Sequence, residues 1–124
     1  MPIVDYYLRH DFLPGTFDGQ WYSLDKYTCL TGDAQLSLIW SKLYVATKQT
    51  KFLKAARRMN NYLKSVQNIK TDNLNIRGAI AGSWPIWGDI LKNRGYCRLA
   101  YPNWAAKFFI DALRHDQQLS MSKI

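Results

Sequence analysis

The chain lacks the features that mark several common protein classes. None of its apolar runs approaches the ~18 residues that a membrane-spanning helix requires. Its first residues, Met1 to Asp5, do not follow the basic, then apolar, then small-residue order of a signal peptide. The sequence therefore predicts a cytoplasmic protein that binds no membrane.

Metal-binding and catalytic signatures are also missing. Cys29 and Cys97 are far apart and have no His at metal spacing, so we expect two free thiols, no metal and no cofactor. No Ser stands in a G-x-S-x-G elbow, and the glycines from Gly78 to Gly82 lack the Lys of a phosphate loop. His10 and His115 lie in irregular or terminal sequence, which gives a His-centred mechanism little support.

Aromatic residues, in contrast, are plentiful. They make up 15% of the 124 residues, and such large rings need stacking partners. Many lie between Arg77 and Leu113, together with helix-breaking residues: Gly78, Gly82, Pro85, Gly88, Gly95 and Pro102. This combination predicts a structured, aromatic-lined loop that leads into a helix.

Apolar spacing predicts an antiparallel hairpin of two helices. From Asp33 to Lys48 apolar residues recur every three or four positions, and Thr31 or Asp33 can cap this helix. A second helix follows a cap at Thr50. The apolar stripe predicted for the first helix consists of Leu36, Ile39, Trp40, Leu43, Tyr44 and Thr47. The stripe predicted for the second consists of Phe52, Leu53, Ala56, Met59, Leu63 and Val66. The short connection makes the helices antiparallel.

The rest of the chain completes an all-α prediction. Residues 1–30 are expected to be irregular apart from a short helix over Val4 to Asp11, and residues 115–124 are expected to fray. A third helix should begin after a cap at Asn103. We therefore predict an antiparallel helical hairpin plus a third helix, joined by a long aromatic loop rich in Gly and Pro.

The net charge of +8 favours anionic partners. The basic residues of the second helix could form a phosphate-binding ridge: Lys51, Lys54, Arg57, Arg58 and Lys64. No base-stacking aromatics interleave with them, so we favour a solvated helix face and predict no nucleic-acid binding.

Several segments resemble the α/α toroid of glycan-active enzymes and terpenoid cyclases. The hairpin turn from Leu43 to Ala56 looks like the helix turns of such barrels, and Tyr62–Gln67 is similar to half of the cyclase QW repeat. CLTGDAQ, GSWPIWG and YPNWAAKFFIDAL resemble segments of toroid proteins from bacterial polysaccharide loci. The resemblance covers about residues 21–114 and places the toroid sector in residues 31–114.

A complete toroid closes a ring of six hairpins, whereas this chain holds about one and a half. The resemblance therefore implies a partial toroid, either a C-terminal sector of a longer protein or a homo-oligomer. A small bundle of three helices capped by the loop stays open.

The resemblance further implies a glycan site at the barrel end. Trp84, Trp87, Tyr101 and Trp104 would be sugar platforms, although each ring could plug the core instead. Arg77 could bind a uronate or staple the loop.

Asp89 is the candidate catalytic acid or base. A glycosidase needs a second carboxylate about 5 to 9.5 Å away. Asp33 and Asp111 are the only plausible partners, but Asp33 suits a helix N-terminus and Asp111 an ion pair with Lys107. We therefore expect glycan binding more than catalysis. Within an enzyme, the sector would belong to a glycan-active hydrolase, lyase or epimerase.

The expected function is thus an aromatic glycan-binding rim in polysaccharide biosynthesis or processing. A non-enzymatic protein-interaction module and a terpenoid-cyclase-like sector are the alternatives. The latter would use the rings to stabilise a cation, but the chain has no Asp-rich run.

Overall fold

The structure, a computed structural model, describes residues 2–122 and is mostly helical, as predicted. Over this range the helices are α1 (Pro2–His10), α2 (Leu30–Thr47), α3 (Thr50–Val66) and α4 (Asn103–Met121). Two short strands that the apolar spacing did not predict, β1 (Thr28–Cys29) and β2 (Ser83–Trp84), pair antiparallel. No helix in the described part of the chain is both long and apolar enough to cross a membrane.

The antiparallel hairpin is formed by α2 and α3. Lys48 ends α2 in the left-handed conformation, with φ of 60°, and Gln49 is the N-cap of α3. Across the hairpin, the Ser37 hydroxyl lies 2.6 Å from Asn60 Oδ1 and 3.1 Å from the Ala56 carbonyl oxygen. These contacts join residues at similar distances from the turn, as an antiparallel pair requires.

The buried face of α2 differs from the predicted stripe. Trp40 is fully buried, but Ile39 is 45% exposed. Small and polar residues make up much of the buried face instead: Thr31, Asp33, Ala34, Ser37 and Ser41. Small side chains allow α3 and α4 to approach α2 closely, so hydrophobic spacing alone could not identify this face.

The basic face of α3 is tied to its neighbours. Lys51 pairs with Asp5 at 3.3 Å, Arg58 with Asp11 at 2.9 Å and Arg57 with Asp116 at 2.9 Å. These pairs are partly exposed and contribute little stability each, but they occupy three of the five basic side chains. The arrangement favours the solvated face over a phosphate-binding ridge.

Helix α4 differs from its prediction at both ends. Pro102 is the N-cap and Asn103 the first helical residue, so Asn103 makes no capping bond. The helix also continues through His115 to Met121, where the polar sequence predicted fraying. The Arg57 guanidinium explains the extension, because it bonds both Asp116 and, at 3.1 Å, Ser120. The last two residues of the predicted tail, 123–124, lie outside the described residues.

The N-terminal segment contains the short helix that was predicted for it. Helix α1 covers Pro2–His10, close to the predicted range, and stacks Tyr7 on Trp40 with ring centroids 5.5 Å apart. This contact attaches α1 to the buried side of α2.

Candidate functional site

The aromatic loop is fixed to the start of α2 by backbone contacts. Strand β2 pairs with β1, and the Leu30 N–H donates to the Gly82 carbonyl at 3.1 Å. On the other side, the Ser83 hydroxyl bonds the backbone of Tyr96 at 2.6 Å. A Cβ on Gly82 would lie 2.6 Å from the Tyr96 carbonyl oxygen, so only glycine allows this close approach.

A groove of about 400 Å³ lies where the end of α3 meets this loop. Trp84 and Tyr101 of the loop line it, together with residues 64–70 from the end of α3 and the connection after it. The structure therefore brings together two of the four predicted platform residues.

Polar contacts hold the walls of the groove in place. The Asn68 amide donates to the Tyr101 hydroxyl at 3.0 Å, which fixes the tyrosine ring. The Gln67 amide donates to the Gly78 carbonyl at 2.9 Å and so joins the end of α3 to the loop. A groove held by such cross-links is pre-formed, as small-molecule sites usually are.

The charges in the groove have one sign. Exposed Lys64 and Lys70 line it, and none of its lining residues is acidic. Indole and phenol faces suit the apolar C–H faces of sugars, the amides suit hydroxyl groups, and ammonium groups suit a carboxylate or sulfate. The arrangement can bind an anionic, ring-shaped ligand.

The other predicted platform residues do not line this groove. The Trp104 indole N–H donates to the Tyr96 hydroxyl at 2.8 Å, and Trp87 lies on a turn closed by the Gly88 N–H and the Pro85 carbonyl at 2.8 Å. Both indoles are about half exposed. They therefore neither plug the core nor contribute to the groove.

Arg77 was predicted either to bind a uronate or to hold the loop together, and its contacts in the structure are of the second kind. Its guanidinium donates to the Thr71 carbonyl at 3.0 Å, within the same connection between α3 and the loop. It does not line the groove, so the structure does not bring it to Trp84 and Tyr101.

Asp89 lies in a turn of the aromatic loop and does not line the groove. It is buried, its backbone pairs with Arg94, and its Oδ1 accepts the Lys92 N–H at 3.2 Å. Its Oδ2 has no hydrogen-bond partner among residues 2–122. These contacts give Asp89 a role in shaping the turn, and its catalytic role stays a prediction.

A further carboxylate, Asp25, is connected to Asp89 through Arg94, and sequence reasoning missed it. The Asp25 side chain is fully buried and accepts bonds from Thr16 and from Arg94 Nε, the latter at 2.6 Å. Arg94 in turn pairs its backbone with Asp89. No local pattern marks Asp25, because its partner lies far along the chain.

The two carboxylates that were weighed as partners of Asp89 have other surroundings. Asp111 pairs with Lys107 at 2.6 Å on α4, which confirms that prediction. Asp33 lies in the first turn of α2, at the helix N-terminus as predicted, and it is buried there, with only 3% of its surface exposed. The cap of α2 is Cys29, whose sulfur accepts the Gly32 N–H at 3.4 Å.

No protein-family model, curated protein or solved structure matches the chain. Across residues 2–122, no three His, Cys, Asp or Glu side chains cluster closely enough to hold a metal ion. The function therefore has to be inferred from the geometry of the groove and its surroundings.

Proposed function

We propose that the protein is a sector of an α/α toroid, related to polysaccharide-processing proteins, whose groove binds an acidic glycan. The observation that carries this proposal is that Trp84, Tyr101, Lys64 and Lys70 line one groove of about 400 Å³. An aromatic platform favours a sugar ring, and the two ammonium groups favour one that carries a carboxylate or sulfate.

The composition of the groove supports binding more than catalysis. Glycoside hydrolysis needs two carboxyl groups on either side of the scissile bond. No acidic residue lines the groove, and Asp25 is already engaged by Arg94. We therefore assign the groove a binding role and leave bond cleavage to residues outside this chain.

Exposed apolar side chains on the loop support the toroid interpretation. Ile90, Leu91 and Leu99 are 66%, 92% and 73% exposed. Loop surfaces of this kind are covered when further structural units pack against them. The missing hairpins of a ring, or a second copy of the chain, would supply that cover.

Tryptophan fluorescence with uronic-acid oligosaccharides tests the proposal. The acidic sugars should quench the emission saturably, and neutral oligosaccharides of the same length should bind more weakly. Replacing Trp84 with Ala should weaken binding at least about tenfold, because the platform is lost. Replacing both Lys64 and Lys70 with Gln should reduce the preference for the acidic sugar.

Trp87→Ala is the matched control. Its indole is similarly exposed but lies outside the groove, so this variant should bind like the original protein. Equal losses for Trp84→Ala and Trp87→Ala, or no saturable quenching up to about 10 mM sugar, would contradict the proposal.

A protein-interaction module is the second candidate function. The same exposed residues, Leu91 and Leu99, favour it together with Trp104, which is 45% exposed. Sedimentation velocity without sugar tests this surface: a concentration-dependent shift that Leu91→Ser abolishes would show that it mediates association. The fluorescence experiment tests the groove separately, so association without saturable quenching by sugar would favour the interaction module alone. No feature of the groove favours a terpenoid-cyclase-like role.

A further inference from the structure

A second cavity, of about 180 Å³, lies between α1 and the start of α2. It is distinct from the groove and shares no lining residue with it. Its walls are mainly apolar, with Ile3, Leu13, Phe17 and Leu36 among them, and its polar groups include the Asp33 carboxyl and the Cys29 thiol. At ~30 Å³ for each water molecule, the cavity has room for about six water molecules.

The Asp33 carboxyl at this cavity is not matched by a cation. Thr28 Oγ1 donates to Oδ2 at 2.6 Å, and no other hydrogen bond or ion pair to this carboxyl forms within residues 2–122. Two oxygens of a carboxylate can accept about four hydrogen bonds. The side chain therefore keeps most of its acceptor capacity unused.

The side chains around Asp33 do not neutralise it, and the N-terminus of α2, where it lies, supplies only a partial positive charge. Tyr7 on α1 and Tyr62 on α3 face it as neutral phenols, because burial and the nearby Asp33 charge raise the pKa of each. Burial likewise raises the pKa of the Cys29 thiol. Arg58, whose positive charge acts on Tyr7, is already bonded to Asp11 and to the Leu8 carbonyl.

An isolated buried carboxylate is unstable, and a protein usually pairs it or protonates it. Burial raises the pKa of Asp33 to about 7, so a substantial fraction is ionised at neutral pH. A cationic ligand would replace the missing partner and favour the ionised form.

We propose that this cavity binds a small primary amine with an apolar substituent. Its ammonium group would donate to Asp33, and its alkyl or aryl part would lie against Leu13, Phe17 and Leu36. The proposal does not depend on the glycan groove.

Benzylamine and benzyl alcohol are the probes, because they share a ring and differ in charge. In two-dimensional NMR of the full chain at about pH 7.5, benzylamine should shift the signals of Leu13 and Leu36 saturably. Benzyl alcohol should bind at least about tenfold more weakly, since it lacks the charge that strengthens hydrogen bonds to a carboxylate.

Asp33→Asn keeps the shape of the side chain and its bond to Thr28 but removes the charge. It should abolish the preference for the amine, whereas Asp111→Asn, at the exposed pair with Lys107, should leave it unchanged. If Asp33→Asn does not fold, the comparison of the two probes on the unaltered protein still decides. Equal binding of both probes, no saturable shift up to about 10 mM amine, or shifts confined to residues away from this cavity would overturn the proposal.

Discussion

The helices and the aromatic loop use tryptophan in opposite ways. Trp40 on α2 is completely buried beneath α1, whereas Trp84, Trp87 and Trp104 around the loop are 39%, 50% and 45% exposed. The buried indole organises the core, and the exposed ones form surface without being needed to fill it. Stability and binding should therefore depend on different members of the same residue type.

The largest expected effect comes from removing the buried indole. Trp40→Ala should lower the free energy of unfolding by about 3–5 kcal/mol, because it leaves a cavity beside Tyr7. Trp84→Ala should change it by less than about 1 kcal/mol. Urea denaturation followed by circular dichroism measures both.

Trp40→Phe sharpens this comparison. The indole N–H of Trp40 has no hydrogen-bond partner among residues 2–122, so replacing it removes no bond, and the loss should be smaller than for Ala. If Trp84→Ala destabilised the protein as much as Trp40→Ala, the division between core and surface indoles would be wrong.

The two helices of the hairpin differed in how well the sequence predicted their buried faces. The period of apolar residues in α3 identified most of its buried face, including Phe52, Ala56, Met59 and Leu63. In α2 it failed, because the buried face contains Ser37 and Ser41. Helix pairs packed through small residues carry a weak hydrophobic pattern, so their contacts become visible only in three dimensions.

The next largest effect on the free energy of unfolding comes from Asp33, and it depends on pH. Its pKa rises from an ordinary 3.8 to about 7 through burial, so the native state holds a proton that the unfolded chain has lost. Stability should therefore fall as the pH rises from about 4 to about 7, by up to about 4 kcal/mol. Asp33→Asn should remove this loss.

Urea midpoints at several pH values between about 4 and 8 measure that slope for both proteins. Cys29, Tyr7 and Tyr62 face Asp33 but titrate above this window, because their pKa values are raised. Asp111→Asn is the control at a partly exposed carboxylate and should retain the slope. Parallel curves for Asp33→Asn and the unaltered protein would show that Asp33 is not the group responsible.

The candidate site was predictable in its residue types but not in its geometry. The concentration of rings identified Trp84 and Tyr101, yet nothing local showed that they share a groove with Lys64 and Lys70. That arrangement depends on the pairing of β1 with β2 and on the bond from Asn68 to Tyr101. Both are contacts between residues distant in the chain, which periodicity cannot reveal.

The smallest of these effects concerns the backbone that holds the loop. Gly82→Ala should cost roughly 1–3 kcal/mol, because the new methyl group would lie 2.6 Å from the Tyr96 carbonyl oxygen and from Cys97 Cβ. Gly19→Ala is its matched control, since a Cβ there meets nothing within 4 Å. Thermal unfolding should separate the two, and equal stabilities would contradict the close approach at Gly82. If Gly82→Ala loses stability and Gly19→Ala does not, the loop that exposes the indoles has a rigid backbone. Close main-chain packing then stabilises this loop, whereas buried rings stabilise the helices.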